Sequence, residues 1–226
     1  MSAIVALTAQ NTLGVSAVHE VPPDFVRAQL DAVFADIGID AAKTGMLFSR
    51  PVVEVVAEFL GEHPVLLVVD PVMLSATGSR LLREDAVESL VARLFPLATV
   101  VTPNLHEAQA LAGRTGSRAE LAQALHELGA PAVIVTGGHG DDPVDHLFDG
   151  REHVEIPVDR HDVAATHGAG CTHSAALAAL LARGESLVDA ARGAARVAGD
   201  AVRDGLVGLG GGEGPVDVLN LAGAGA

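Results

Sequence analysis

The feature that most constrains the fold of this chain is an alternation of short apolar, β-branched runs with longer stretches of helical period. The apolar runs are AIVAL at 3–7, VLLVV at 65–69, TVV at 99–101 and AVIV at 132–135, with weaker candidates at 39–43, 145–148 and 153–158. Helices are predicted at 24–37, 50–60, 84–95, 105–113 and 118–129, as two segments after Gly170, and near 215–222. Because strands covered on both faces are apolar throughout, we expect an α/β fold with a mainly parallel central sheet and helices on both faces.

Length and charge limit the class of protein. The chain has 226 residues, 49% of them hydrophobic, which suits one domain with a sizeable core. It carries no basic-then-apolar leader and no apolar run of membrane-spanning length, so we expect a cytoplasmic protein without a membrane partner. A net charge of −15 also argues against nucleic acid as a partner. Lys43 is the only lysine, so a phosphorylated ligand would depend on backbone amides, helix N-termini or a metal ion.

Polar residues and glycines follow the predicted strands, and ligands of open parallel sheets bind outside the carboxyl ends of the strands. These segments are Thr8-Ala9-Gln10-Asn11, Thr44-Gly45-Met46, Asp70-Pro71-Val72-Met73, Thr102-Pro103-Asn104 with Glu107, and Thr136-Gly137-Gly138-His139. Together they predict one shared cleft. Each also has a plain alternative: Asp70-Pro71 can simply end a strand, and Asn104 with Glu107 matches a helix capping box.

The only cysteine, Cys171, follows Gly168-Ala169-Gly170 at the predicted start of a helix. A single cysteine excludes an internal disulfide, which leaves either a packing residue or a working thiol. A glycine-rich turn before a helix exposes backbone N–H groups that can hold an anion, and the helix dipole lowers the pKa of a thiol in the first turn. The segment thus pairs a potential base with a potential phosphate cradle.

Two other patterns favour supporting roles. His161, His167 and His173 lie near Cys171, but their spacing matches no usual zinc pattern, so ordinary surface or supporting histidines are the simpler interpretation. The run GLVGLGGGEGP at 205–215 lacks the Gly-Lys-Ser/Thr ending of a Walker loop, which favours a flexible closing loop.

Taken together, LTAQNT, KTGM, VVDPVM, TPNLHEA, TGGH and THGAGCTHSAA occur in an order that resembles the hydroxymethylpyrimidine and hydroxymethylpyrimidine-phosphate kinases of thiamine biosynthesis, within the ribokinase superfamily. The resemblance implies a ribokinase-like fold and ATP- and Mg²⁺-dependent phosphorylation of 4-amino-5-hydroxymethyl-2-methylpyrimidine and of its monophosphate. Related enzymes accept pyridoxal or pyridoxine, so a vitamin B6 kinase is the nearest alternative. Dimers are usual in the resembling family, which implies a homodimer.

The resemblance also implies roles for individual residues. It assigns substrate binding to Gln10, Met46 and Val72, metal binding to Asp70 and Glu107, nucleotide binding to Asn104, Thr136 and Gly138, and catalysis to Gly168, Ala169, Gly170 and Cys171. Gln10 would hydrogen-bond the pyrimidine edge, and the amides before Cys171 would hold the transferred phosphoryl group. Cys171 would take the hydroxymethyl proton, at a position that aspartate fills in many other members of the superfamily.

The sequence departs from the family pattern at two places. Thr136 stands where many members carry lysine before Gly-Gly-His. The family's opening strand, with its Gly-Ser-Asp and Gly-Gly-Ala-Gly loop, has no counterpart, so we expect residues 1–226 to form a single ribokinase-like kinase domain that is N-terminally truncated relative to the family. Without that strand we expect poor solubility or weak activity.

Three hypotheses about activity follow from these observations. The chain is an active pyrimidine kinase, a catalytically weak relative that binds nucleotide or pyrimidine as a sensor or partner subunit, or a cysteine-nucleophile enzyme that uses Cys171 with His167 or His173. The third hypothesis lacks an identifiable acid partner for the histidine.

Overall fold

Four parallel strands form the centre of the fold. A computed structural model of the chain describes residues 1–75, 77–138 and 143–221. Its main sheet has the order β3 (Ala41–Thr44), β4 (Leu66–Val69), β5 (Val100–Val101), β6 (Val133–Val135), β7 (Val144–Phe148) and β8 (His153–Pro157). Strands β3 to β6 pair in parallel, whereas β7 and β8 add antiparallel strands at one edge. Six of the predicted strands therefore form, each within two residues of its predicted ends.

The apolar runs are apolar throughout because both faces of the sheet are covered. Leu67 and Val69 pack into one hydrophobic cluster, together with residues of the helices on that face, whereas Val68 between them packs into the other cluster. Successive side chains of a strand point to opposite faces, so this division is the expected one for a sheet between two helical layers. The prediction of an α/β sheet with helices on both faces is confirmed.

The two helical layers come from different parts of the chain. The first face carries α1 (Pro23–Asp36), α2 (Arg50–Glu62), α3 (Glu84–Leu94), α4 (Leu105–Ala112) and α5 (Arg118–Glu127). The second face carries α6 (Ala169–Ala182) and α7 (Leu187–Arg203). The helix predicted near 215–222 is wrong for its described part, because residues 215–221 contain no helix; residue 222 lies outside the described residues. Across the three described ranges, no helix is both long and apolar enough to cross a membrane.

The N-terminal strand differs from its prediction. The structure begins β1 at Ala6 and ends it at Asn11, and β1 pairs antiparallel with β2 (Gly14–Glu20) in a separate two-stranded sheet. Asn11 is the local cause, because its Oδ1 accepts from the amides of Leu13 and Gly14 at 2.9 and 3.2 Å and so closes a two-residue turn. The apolar run at 3–7 was therefore wrongly placed in the central sheet.

Two hydrogen bonds connect this hairpin to the rest of the protein. Ser49, just before α2, donates a hydrogen bond to Glu20 at the end of β2. At the other end of the hairpin, the amide of Gly212 donates to Thr12 Oγ1 at 3.2 Å. The hairpin is thus connected both to the first helical face and to the glycine-rich run at 205–215, which the structure shows to be a loop.

An aromatic cluster on the first face provides a test of how the core is packed. Phe59 on α2 is fully buried, its ring lies 4.8 Å from that of Phe34, and the guanidinium of Arg27 lies 4.9 Å above it. We expect Phe59→Ala to lower the free energy of unfolding by about 3–5 kcal/mol, because the lost burial leaves a cavity. Phe25 on α1 is 60% exposed, so Phe25→Ala should change it by no more than about 0.5 kcal/mol. Urea unfolding followed by circular dichroism measures both, and similar losses in the two variants would contradict this description of the core.

Candidate functional site

The site is built around Asp70, which follows β4 and is 5% exposed. Ser174 on α6 donates a hydrogen bond to Asp70 Oδ2 at 2.8 Å, and Lys43 Nζ lies 3.8 Å from the same oxygen and 3.2 Å from Ser174 Oγ. Burial raises the pKa of Asp70, and the charge of Lys43 and the hydrogen bond from Ser174 oppose that rise. The three side chains connect the carboxyl ends of β3 and β4 to helix α6.

Glu107 in the first turn of α4 forms the capping box predicted from the sequence. Its backbone amide donates to Asn104 Oδ1 at 2.9 Å, and its Oε2 accepts from the amide of Asn104 at 2.9 Å. Its other carboxylate oxygen accepts from the amide of Met73 at 3.3 Å, so the carboxylate also holds the segment after β4. Burial, followed by the charge of Asp70, raises the pKa of Glu107 to about 7 despite these amide donors.

The capping box of Glu107 is confirmed, but its burial distinguishes it from an ordinary cap. A residue needed only as a cap can lie at the surface, as Glu120 does in the equivalent capping box of α5. Glu107 is instead 8% exposed and close enough to Asp70 for the two charges to repel. The cost of keeping two buried carboxylates together indicates a cationic ligand.

Helix α6 begins immediately after the Gly168 that the sequence analysis singled out. Gly168 has φ +91°, a left-handed conformation that disfavours other residues, and no side chain caps the helix. The amide of Ala169 donates to Thr166 O at 3.0 Å, so it is already engaged in a turn. The amides of Gly170 and Cys171 are the second and third of the helix, where a helix normally lacks internal acceptors.

Cys171 is exposed in the first turn of α6. The position at the helix start predicted a lowered pKa for the Cys171 thiol, and the structure contradicts this prediction. The protein packed around the sulfur raises the pKa of Cys171 first, the charge of Asp70 adds to the rise, and Lys43 only partly offsets it. The residue as a whole is exposed, but neighbouring protein desolvates its sulfur, and this desolvation is the main cause of the raised pKa.

The segment after β6 lies beside the start of α4. Thr136 donates its amide to Pro103 O at 3.0 Å and forms a parallel bridge with Asn104. Gly138 is exposed at the end of this segment. The structure therefore places Thr136 beside Asn104, which contacts Glu107, and Gly138 follows two residues later, whereas His139 of the same motif lies outside the described residues.

The predicted substrate-binding residues come from three separate segments. Met46 and Val72 are half-buried in the segments that follow β3 and β4. Gln10 is exposed on β1 of the hairpin, and within the described ranges no hydrogen bond joins its side chain to the other site residues. The Thr12 contact to the glycine-rich loop, and the bond from the His167 amide to Gly214 O at 3.1 Å, connect the hairpin to the segment before α6.

Sequence reasoning missed the roles of Lys43 and Ser174. Both lie inside motifs quoted above, KTGM and THGAGCTHSAA, but neither was named as a site residue. A signal for Lys43 was present, because it is the only lysine of a strongly acidic chain and it precedes a Thr-Gly pair at the end of a strand. Ser174 offered no comparable signal, since a serine inside an alanine-rich helix usually packs or faces solvent.

The residues present fit a bound magnesium ion. Mg²⁺ is usually held by one or two carboxylates together with substrate phosphates, and it keeps several waters. Asp70 and Glu107 offer two carboxylates at adjoining strand ends, and Lys43 is the one ammonium group near them. A group of three or more histidine, cysteine or acidic side chains suited to a metal is absent from the described ranges, so the phosphates of a nucleotide would have to complete the coordination.

The fold and this site define a class of protein: a ribokinase-like kinase, in which amides at a helix start and buried carboxylates converge at the carboxyl ends of parallel strands. Residues 1–217 match the family model described as phosphomethylpyrimidine kinase. The chain belongs to the phosphomethylpyrimidine kinase family.

Curated relatives agree with this membership. The chain is 47% identical to the hydroxymethylpyrimidine/phosphomethylpyrimidine kinase of Rhizobium meliloti over 84% of this chain and 74% of that protein. It is 45% identical to the enzyme of the same name from Streptomyces coelicolor over 96% of this chain and 82% of that protein. Assignment of residues 1–226 to one N-terminally truncated domain stays a prediction.

Solved structures place the fold among vitamin kinases. An ADP complex of Bacillus subtilis pyridoxal kinase superposes with a TM-score of 0.88 at 34% identity, covering 98% of this chain and 87% of that one. Phosphomethylpyrimidine kinase of Clostridium difficile 630 superposes with a TM-score of 0.76, also at 34% identity, over 87% of this chain and 83% of that one. The ribokinase-like fold is thereby confirmed, and the protein is a phosphotransferase.

The raised pKa of Glu107 predicts how stability depends on pH. A carboxyl group whose pKa rises from 4.5 to about 7 on folding binds more protons in the folded state, so the free energy of unfolding falls as pH increases between these values. In magnesium-free buffer we expect Glu107→Gln to remove this loss, which amounts to about 3 kcal/mol. Urea unfolding between pH 5 and 8 measures it.

Glu120→Gln is the matched control for this measurement. It changes the same position of an equivalent but exposed capping box, and its hydrogen bonds with Ser117 lower the pKa of Glu120. The stability that the ionised Glu120 carboxylate contributes is lost toward acid, so Glu120→Gln should keep the loss of stability that wild type shows between pH 5 and 8. Equal pH profiles for wild type and Glu107→Gln would contradict the buried, protonated state of Glu107.

Proposed function

We propose that this protein transfers the γ-phosphoryl group of ATP to the hydroxymethyl group of 4-amino-5-hydroxymethyl-2-methylpyrimidine, and then phosphorylates the resulting monophosphate to the diphosphate. The observation that carries the proposal is the connection between the open start of α6, which bears Cys171, and the buried carboxylate of Asp70 through Ser174. Because of this connection, the first amides of α6, the Cys171 thiol and the Asp70 carboxylate lie at one edge of the sheet, where they would serve as anion site, base and cation ligand. Those are the parts that phosphoryl transfer requires.

Nucleotide and metal would occupy the acidic side of this edge. Asp70 and Glu107 would hold Mg²⁺ through its waters, and Asn104, Thr136 and Gly138 would contact the nucleotide. The ion would neutralise the charge that develops on the phosphates. Lys43 would keep the Asp70 carboxylate ionised by its charge, because the ammonium group lies 3.8 Å from Oδ2.

Cys171 would act as the base toward the hydroxymethyl group. The amides of Gly170 and Cys171, with the backbone of Gly168 and Ala169 that shapes the turn, would hold the transferred phosphoryl group in line with it. Phosphoryl transfer passes through a loose transition state, so the hydroxyl proton need not leave early and a thiol with a raised pKa can serve. Turnover should then increase toward alkaline pH, as more of the thiol ionises.

Gln10 would contact the pyrimidine edge from the hairpin, with Met46 and Val72 against the ring. Pyridoxal is the second candidate substrate, because the superposition on B. subtilis pyridoxal kinase has a TM-score of 0.88. The family match and the 47% identity to a pyrimidine kinase favour the pyrimidine. The homodimer and the cytoplasmic location stay predictions.

We expect Cys171→Ala to lower turnover by about a hundredfold or more while leaving ADP affinity within a few-fold, because it removes a base but keeps the backbone amides. A coupled ADP-release assay with hydroxymethylpyrimidine measures turnover. Calorimetry measures affinity, since the chain has no tryptophan or tyrosine to report binding. Thr172→Val, at the next residue of the same turn, is the control and should stay close to wild type.

Near-normal turnover of Cys171→Ala would reject the thiol as the base. Turnover of pyridoxal but not of the pyrimidine by wild type would instead support the second substrate. Wild-type protein that binds ADP but turns over neither compound would match the weak relative considered above. Alkylation of Cys171 that ATP fails to slow would favour the cysteine-nucleophile hypothesis.

The metal assignment gives a separate prediction. Glu107→Gln should raise the Mg²⁺ concentration for half-maximal turnover by about tenfold, because the amide keeps the helix cap but carries no charge. Glu120→Gln, at the exposed capping box, should leave the magnesium titration unchanged. A titration of Glu107→Gln that matches wild type would leave Glu107 as a cap alone.

A further inference from the structure

A second buried pair of polar side chains, His173 and Asp145, has no part in the proposed chemistry. His173 on α6 and Asp145 on β7 are 4% and 3% exposed, and His173 Nε2 lies 3.2 Å from Asp145 Oδ2. The other oxygen, Asp145 Oδ1, accepts a hydrogen bond of 2.6 Å from the amide of Gly137. One carboxylate therefore holds two groups from different parts of the chain.

The two groups held by Asp145 belong to the two halves of the site. His173 is two residues after Cys171, in the helix whose first turn supplies the amides for the transferred phosphoryl group. Gly137 lies between Thr136 and Gly138, in the segment after β6 proposed to contact the nucleotide. The contact therefore bridges the helix to the nucleotide segment through one side chain.

Close packing shows that this arrangement is specific. A Cβ added at Gly137 would lie 2.4 Å from Val144 O, so only glycine lets this segment approach β7 closely enough for its amide to reach Asp145. On the opposite side, Ser174, next to His173, binds Asp70. Adjacent residues of α6 thus hold the two acidic groups, Asp70 and Asp145.

We propose that Asp145 and His173 are positioning residues that set the distance between the amide-bearing start of α6 and the nucleotide-binding segment at Thr136–Gly138. The inference rests on the proposed kinase function and deepens it, because a nucleotide's phosphates must reach both segments at once. Neither side chain touches substrate. They act through the Gly137 amide and through the placement of α6.

The test separates positioning from stability with four variants of the full chain. His173→Leu removes the link and leaves Asp145 as an unpaired buried charge, which should lower stability strongly. In the double variant Asp145→Asn/His173→Leu the uncompensated charge is gone, so stability should recover in part while the link stays broken. His173→Gln places an amide N–H near the position of Nε2 and can restore the link. Ile156→Ala, in the buried core of β8, is the destabilised control.

We expect the KM for ATP, and the dissociation constant for ADP measured by calorimetry, to rise about tenfold in both His173→Leu and the double variant, the size expected when a buried contact between two coupled side chains is lost. His173→Gln should stay within about threefold of wild type, and the KM for the pyrimidine should change little in all four variants. Melting temperatures followed by circular dichroism provide the stability scale.

Affinity for ADP that follows melting temperature across the set, with Ile156→Ala losing as much as His173→Leu, would overturn the inference. Recovery of ADP affinity in the double variant would overturn it as well, because stability alone would then explain the loss. Calorimetry needs no phosphoryl acceptor, so wild-type protein that binds ADP but phosphorylates neither the pyrimidine nor pyridoxal would refute the proposed function while leaving this comparison decisive. Wild-type protein that binds no ADP would overturn the inference directly.

Discussion

The buried carboxylate of Asp70 is the group on which the rest of the site depends. An isolated carboxylate is costly to bury, and here Ser174 and Lys43 offset that cost from two different elements. To do so, α6 must lie across the carboxyl ends of β3 and β4, which is where it packs. The need to satisfy the buried Asp70 carboxylate therefore fixes the position of α6, and with it the position of Cys171.

This arrangement explains how a protein with a net charge of −15 can serve as a phosphotransferase. Its only lysine contacts Asp70 and Ser174, so under the proposed function the phosphates would be held by backbone amides and a metal ion. Amides at a helix start attract anions without adding formal charge, and two carboxylates bind magnesium only when few cations compete for them. The general acidity of the surface is compatible with this chemistry because the positive potential is local.

The separate antiparallel hairpin places Gln10 on a different part of the structure from Asp70, Glu107 and the start of α6. Asp70, Glu107 and the start of α6 belong to the main sheet and its helices, which hold them rigidly. Gln10 lies on a two-stranded ribbon attached through Glu20 and Thr12. Under the proposed function, phosphoryl transfer would use the main sheet and its helices, and the substrate ring would be contacted by the separate hairpin.

Much of the fold and the composition of the site could be predicted from the sequence alone. The apolar runs at 65–69 and 132–135 determined the central strands, because a strand buried on both faces has no position for a polar residue. Asn104 and Glu107 determined their own capping box, because that interaction spans three residues. The order of the motifs identified the family, which the family match over residues 1–217 confirms.

Only the tertiary structure decided the features that depend on contacts between distant segments. The first strand pairs in a separate hairpin rather than in the central sheet, because the local sequence period does not specify the pairing partner of a strand. The tertiary structure reversed the expected shift of the Cys171 pKa, because neighbouring protein desolvates the thiol and Asp70, one hundred and one positions earlier in the chain, adds its negative charge. It also brought together Lys43 with Ser174, and Asp145 with His173. Electrostatic interactions and hydrogen bonds act over a few ångströms of space, and only folding determines which residues lie within that distance.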